Sequence, residues 1–168
     1  TYNLNSELVF NARLFSHQSS YNINLNGEKE AKFEDIITVM AKILGLDDKI
    51  LEIIQIELDI EKKDLLVNSK LINVLKKHKN DIYLVSDMYL SKKHIEELFV
   101  SLDMDLKYKN LYVSSDSQLS KRNGSFYKFL KKELKGTGLH VGDNKYSDIV
   151  QAEQHDFETF YLRQHIGH

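Results

Sequence analysis

Apolar residues in the first eighty positions recur at helical spacing. In NGEKEAKFEDIITVMAKILGL, Phe33, Ile36, Ile37, Met40 and Leu44 fall on one side of a helix, with Asn26 placed to cap its start and Gly45 to end it. DDKILEIIQIELDIEKKDLL gives a second apolar face through Ile50, Ile53, Ile54 and Leu58, with Asp47 or Asp48 as the cap. Asn68 and Ser69 interrupt that run and recap a helix through Leu71, Val74 and Leu75. The opening stretch from Asn5 to Ser20 also reads as helical.

From Asp81 the period changes. DIYLVS is short and almost continuously apolar, the pattern of a strand buried on both faces of a parallel sheet. SKKHIEELFVSL follows as a helix capped by Ser91, with Ile95, Leu98, Phe99 and Leu102 at helical positions. Then come a strand NLYVSS, a helix SFYKFLKKEL, a strand GLHVG, a helix over residues 147–154 and a strand FETFYL. Strand and helix alternate, which predicts right-handed βαβ units and an α/β fold with a parallel sheet.

Composition narrows the classes. The 168 residues fit one domain, or one with a modest insert, and 42% hydrophobic with 29% charged residues describes a globular chain. A formal net charge of −2, with lysines interleaved among acids, supplies no overall basic field, so nucleic acid is not an expected partner. Cysteine is absent, which removes disulfides and thiolate ligands and fits a reducing, cytoplasmic location. No apolar run approaches the ~18 residues of a membrane span, and TYNLNSELVF lacks the layout of a signal peptide, so no membrane insertion is expected.

In a parallel α/β sheet, ligands bind at the carboxyl ends of the strands. Here those ends read VSDMYLS, SSDSQLSKRNG and VGDNKYSD, and each delivers hydroxyl, carboxylate or ammonium groups to one rim. Taken singly each has a plain reading. Gly-Asp-Asn makes an ordinary turn, Ser86 and Asp87 can cap the next helix, and Lys121 can be a solvated lysine. The histidines form no H-x-H or H-x-x-x-H pair that would suggest a metal site; His140 reads as a packed strand residue, and His165 and His168 lie in the terminal tail. KKHK, residues 76–79, and KFLKKELK, residues 128–135, read as solvated helix ends and faces.

In this order and on these strand ends, YLVSDMYLS, KRNG and HVGDNKYSD resemble the haloacid dehalogenase (HAD) superfamily, most of whose members are Mg²⁺-dependent phosphohydrolases. More narrowly they look like a bacterial branch of predicted HAD hydrolases, some fused to glycosyltransferases of surface-polysaccharide synthesis. The resemblance covers Lys70 to Leu162 and implies a core over residues 67–168, an HAD-like sheet with helices on both faces, with residues 1–66 as a helical cap. It implies a hydroxyl at Ser86 that binds a phosphoryl oxygen, with Asp87 beside it, and an ammonium at Lys121 that stabilises phosphate charge and relieves crowding among carboxylates. It makes Asp143 and Asp148 the acids that hold Mg²⁺, directly or through water, supported by Gly142 at the turn and by Asn144 and Ser147 around it.

The departure from the family pattern is equally plain. The superfamily's first motif, D-x-D-x-[TV] after an apolar strand, supplies its aspartate nucleophile, and no such sequence occurs between Thr1 and Asp81. Asp59 in LDIEKKDLL sits inside a helical pattern. The strand expected between those ending at Ser86 and Gly142 is therefore missing, which predicts a fragment or degenerate form, nearly inactive, whose sheet a larger polypeptide or second chain completes. The expected function is Mg²⁺-dependent hydrolysis of a small-molecule phosphate ester, such as a sugar phosphate. The other reading is a non-catalytic HAD-like binding or assembly module of a larger polysaccharide-synthesis protein.

Overall fold

The computed structural model describes residues 4–22 and 30–163, which form two compact units, Thr1–Ser117 and Gln118–His168. Asn26, His165 and His168 lie outside the described residues. In the first unit, helix α1 (Ser6–Asn22) buries its small residues Ala12, Ser16 and Ser20 and leaves Leu8, Phe10, Leu14 and Phe15 exposed. Small side chains let α1 lie close against α2 (Phe33–Leu44), and the buried hydroxyls are satisfied by their own helix: Ser16 Oγ donates to the Ala12 carbonyl at 2.6 Å and Ser20 Oγ to that of Ser16 at 2.7 Å.

Helix α2 follows the apolar pattern closely, burying Phe33, Ile36, Ile37, Met40 and Ala41. Each large member contributes about 1.5–3 kcal/mol by leaving water. Gly45 ends it as anticipated, in the left-handed conformation at φ 66° with its N–H turned back to the Ala41 and Lys42 carbonyls. Asp47 and Asp48 behave differently from expectation. Instead of capping the next helix through a side chain they form a 3₁₀ turn, Asp47–Lys49, that runs directly into α3 (Ile50–Asp64). Arg13 ties α1 to α3, its Nε lying 2.7 and 3.0 Å from the two carboxylate oxygens of Glu57.

After α4 (Ser69–Lys76), capped by Asn68 as its sequence predicts, the chain enters β1 (Tyr83–Ser86), α5 (Lys92–Ser101) and β2 (Asn110–Val113). Strands β1 and β2 pair in parallel, Tyr83 opposite Asn110 and Ser86 opposite Val113. The core of the first unit is continuous from the amino-terminal helices into this β-α-β segment, joining Ala12, Phe33, Ile37 and Leu58 to Ile95, Leu98, Leu111 and Val113. Ser114 and Ser115, read from the sequence as strand, begin the short helix α6 (Ser114–Ser117) and are buried.

In the second unit, α7 (Ser125–Leu134) buries Phe126, Tyr127 and Leu130. Strand β3 (Leu139–Gly142) leads into a turn of π-helix, Lys145–Val150, then α8 (Gln151–Glu153) and β4 (Glu158–Tyr161), with β3 and β4 parallel and in register from Leu139 opposite Glu158 to Gly142 opposite Tyr161. Parallel strands alternating with helices are thus present, as two separate two-stranded ladders, β1 with β2 and β3 with β4. Among the described residues no strand links the two ladders, and no helix is long and apolar enough to cross a membrane.

Gly45 offers a clean test of the helix boundary. An added Cβ would meet open space there, so Gly45→Ala costs only the left-handed backbone penalty, about 1 kcal/mol, whereas Gly45→Asn costs a few tenths of ~1 kcal/mol. Urea unfolding midpoints measure both, and equal losses for Ala and Asn would contradict the left-handed cap.

Candidate active site

Two groups of predicted residues lie at strand ends, one in each unit. In the first, Ser86 closes β1 and Asp87 follows it, both half-buried. The loop after them is clamped by the residues that follow β2. The Met88 N–H donates to Ser114 Oγ at 2.9 Å, Ser114 Oγ donates to the Met88 carbonyl at 3.3 Å, and Ser115 Oγ donates to the Leu90 carbonyl at 2.9 Å. The Lys92 N–H reaches Asp116 at 2.8 Å, and the Tyr89 carbonyl accepts from Phe33 N–H at 3.0 Å. With the strand on one side and this clamp on the other, the Ser86 hydroxyl is held at the carboxyl end of β1 with little backbone freedom.

The second unit assembles the larger group. Lys121 sits in the loop before α7, where the Gly124 N–H bonds its carbonyl at 3.1 Å and Ser125 Oγ accepts from Ser120 N–H at 3.1 Å. Gly124 has φ 77°, and a Cβ there would run into the His155 ring and the Gln151 side-chain oxygen, so both conformation and space require glycine. From this loop the Lys121 ammonium reaches Asp148 Oδ1 at 2.6 Å, with the two side chains 12% and 5% exposed.

Gly142 makes that approach possible. An added Cβ would overlap the Asp148 Cβ and Cγ and come within 2.6 Å of its Oδ2, so the end of β3 must lack a side chain for Asp148 to fold beneath it. Asn144 then fixes the turn. Its Oδ1 accepts from the Tyr146 and Ser147 N–H groups at 3.0 and 2.9 Å, while its own N–H donates to Asp148 Oδ2 at 3.0 Å. The Asp148 N–H returns to the Asn144 carbonyl at 2.8 Å, closing the pair.

His140 and Tyr127 complete the surroundings of Asp148. Period two puts His140 on the same face of β3 as Gly142, and its Nε2 lies 3.4 Å from Asp148 Oδ1 and 3.1 Å from the Tyr127 hydroxyl. The Tyr127 proton is directed at the Ser147 carbonyl, 2.7 Å away, so toward His140 the phenol oxygen is an acceptor. Two acceptors facing Nε2 place the imidazole proton on that nitrogen.

Burial alone would push the Asp148 pKa up. Hydrogen bonds from His140, Lys121 and the Asn144 N–H, with the charge of Lys121, outweigh it and hold the carboxyl well below the usual range. Asp148 is therefore an anion with both oxygens engaged. Asp143, by contrast, is exposed at the end of β3. Among the described residues no three His, Asp or Glu side chains converge as a protein cage for a metal. One exposed carboxylate at this strand end, with the enclosed Asp148 five residues on, is a donor set for a hard cation that keeps most of its water, as Mg²⁺ does, and not for an ion needing several protein donors.

Of the residues singled out from the sequence, Lys121, Gly142, Asn144 and Asp148 meet in one network, Ser147 joins it through its backbone, and Asp143 stands at its edge. Ser86 and Asp87 form their own group in the first unit. His140, read as a packed strand residue, is indeed packed against Tyr127 and also reaches Asp148, while Tyr127 was not singled out. The alternation linking His140 to Gly142 was a signal for the first; Tyr127 lay hidden in an ordinary amphipathic helix.

Gly142→Ala is expected to cost about 2–3 kcal/mol in denaturant unfolding, because Asp148 is fixed by several partners and has no room to yield. Asp148 also carries a pH signature. Its folded pKa is depressed, so its contribution to stability is complete above the ordinary carboxylate pKa of about 4 and is lost as the pH falls below it. Asp148→Asn should lower stability at pH 7 by about 3 kcal/mol and flatten the decline in melting temperature on acidification; an unchanged acid decline would contradict the burial of this anion.

No protein-family model matches the chain, and no curated protein matches it significantly. Solved structures do. A dehalogenase with an intermediate complex aligns at 15% identity over 97% of this chain and 73% of its own, with a TM-score of 0.59. A second dehalogenase structure aligns at 16% identity over the same shares, with a TM-score of 0.55. At such identity the likeness speaks for architecture, and the chain has the α/β, HAD-like fold of these dehalogenases.

Proposed function

We propose that the chain is built to bind a phosphate monoester of a small metabolite, such as a sugar phosphate, together with Mg²⁺, within the HAD-like hydrolase fold. The observation that carries this reading is the buried Lys121–Asp148 pair behind Gly142, with Asp143 exposed on the same strand end. In this reading the second unit holds the phosphate and the cation, while Ser86 and Asp87 offer a hydroxyl and a carboxylate at the strand end of the first unit. Lys121 keeps Asp148 anionic and sets positive charge beside the phosphate. Asp143 would hold the cation directly and Asp148 through water. Bound Mg²⁺ would offset charge on the phosphoryl oxygens.

None of these roles is that of an attacking group. A second reading is a non-catalytic module that binds a phosphate ester without turning it over.

The test is calorimetric binding of phenyl phosphate with and without Mg²⁺, alongside a hydrolysis assay. Mg²⁺-dependent binding that Asp143→Asn weakens by at least ~10-fold, about 1.4 kcal/mol, supports the site. Binding unaffected by both the cation and that substitution would overturn it. Near-background hydrolysis with binding retained marks the module reading, and turnover needing both Mg²⁺ and Asp143 marks an enzyme.

A further inference from the structure

The first unit has a cleft of about 480 Å³ at the amino ends of β1 and β2, the end of those strands opposite Ser86. Its walls are the carboxyl end of α4, the approach to β1 and the approach to β2, where the Lys109 N–H extends the ladder to the Ile82 carbonyl at 2.8 Å. Two ion pairs span it from wall to wall. Lys76 of α4 meets Asp105 at 2.8 Å, and Lys109 meets Asp81 at 3.6 Å. Both acids of the cleft are thereby used, each by a cation from the opposite wall.

Lys107 and His78 line the same cleft; Lys107 adds its charge to that of Lys76 on Asp105, and among the described residues neither Lys107 nor His78 makes a direct ion pair. Three lysines against two aspartates leave the lining at +1 with His78 neutral, in a chain whose formal net charge is −2. The lining also includes the apolar side chains of Leu75, Ile82 and the buried Leu106, together with the Tyr108 ring. That ring is held by its hydroxyl on Glu96 at 3.2 Å and by edge contact with Phe99. The size is that of small-ligand pockets, and an excess of positive charge beside apolar side chains matches an anion carrying an apolar body.

We propose that this cleft is a second, non-catalytic site for a small organic phosphate, with the phosphate facing Lys107 and His78 and the organic part on Leu75, Ile82 and Leu106. It is independent of the Mg²⁺ reading. KKHK at the end of α4, which reads from the sequence as a solvated helix end, supplies part of one wall.

The experiment is a ¹H–¹⁵N NMR titration of the chain with phenyl phosphate and, separately, inorganic phosphate, in EDTA so that no divalent cation takes part. The expected result is saturable shifts at Asp81, Ile82 and residues 106–109, tighter for phenyl phosphate than for inorganic phosphate. Lys107→Glu, at an exposed position, should weaken binding by at least ~5-fold. His78→Glu is the second variant and should act in the same direction should Lys107→Glu disturb the spectrum globally. Shifts confined to residues 86–88 or 121–148, equal affinity for the two phosphates, or unchanged affinity in a folded variant would each overturn the proposal.

Discussion

The second unit depends on a buried anion. Taking a carboxylate out of water costs several kcal/mol unless it is paired and hydrogen-bonded, and Asp148 is 4% exposed. The local sequence answers that cost feature by feature. Lys121 arrives from a loop whose turn is set by Gly124, and His140 arrives from the face of β3 that Gly142 leaves open. Asn144 offers its N–H while capping the same turn. The helical turn that follows Asn144 brings Asp148 back under the strand end, its N–H closing on the Asn144 carbonyl at 2.8 Å.

The fold was legible wherever hydrophobic period alone decided the outcome. Phe33 to Leu44, Ser125 to Leu134 and the strands at Tyr83 and Leu139 sit where apolar spacing put them, although β1, expected to be buried on both faces, has Tyr83 exposed and its other residues half-buried. It was less legible where two backbone solutions satisfy the same groups. Asp47 and Asp48 could cap a helix or open it as a 3₁₀ turn, and the turn won. Ser114 and Ser115 suit a strand by position, but as the first residues of a helix their hydroxyls reach Met88 and Leu90, and that contact fixed the choice. On α1 the helix was legible and the face it buries was not. Large apolar residues stay outside because alanine and serines give the closer helix contact.

For the site, the residue types carried most of the message and the geometry redistributed the roles. Asp143 and Asp148 look equivalent in GDNKYSD, yet one is exposed and the other is enclosed by Lys121, His140 and the Asn144 N–H. No spacing rule distinguishes them, because the difference arises from Gly142, which admits only the second carboxylate beneath the strand. The division of labour has a chemical sense. In the proposed reading, an anion already neutralised by an ammonium would add little repulsion to an incoming phosphate, while the exposed Asp143 would face the hydrated cation.

The most direct test of this division uses Mn²⁺ as a paramagnetic stand-in for Mg²⁺. Amide signals of residues 142–148 should broaden on adding Mn²⁺, and the broadening should disappear in Asp143→Asn while persisting in folded Asp148→Asn. Broadening that survives Asp143→Asn but vanishes in Asp148→Asn would contradict the account, since the buried carboxylate would then be the one that holds the metal.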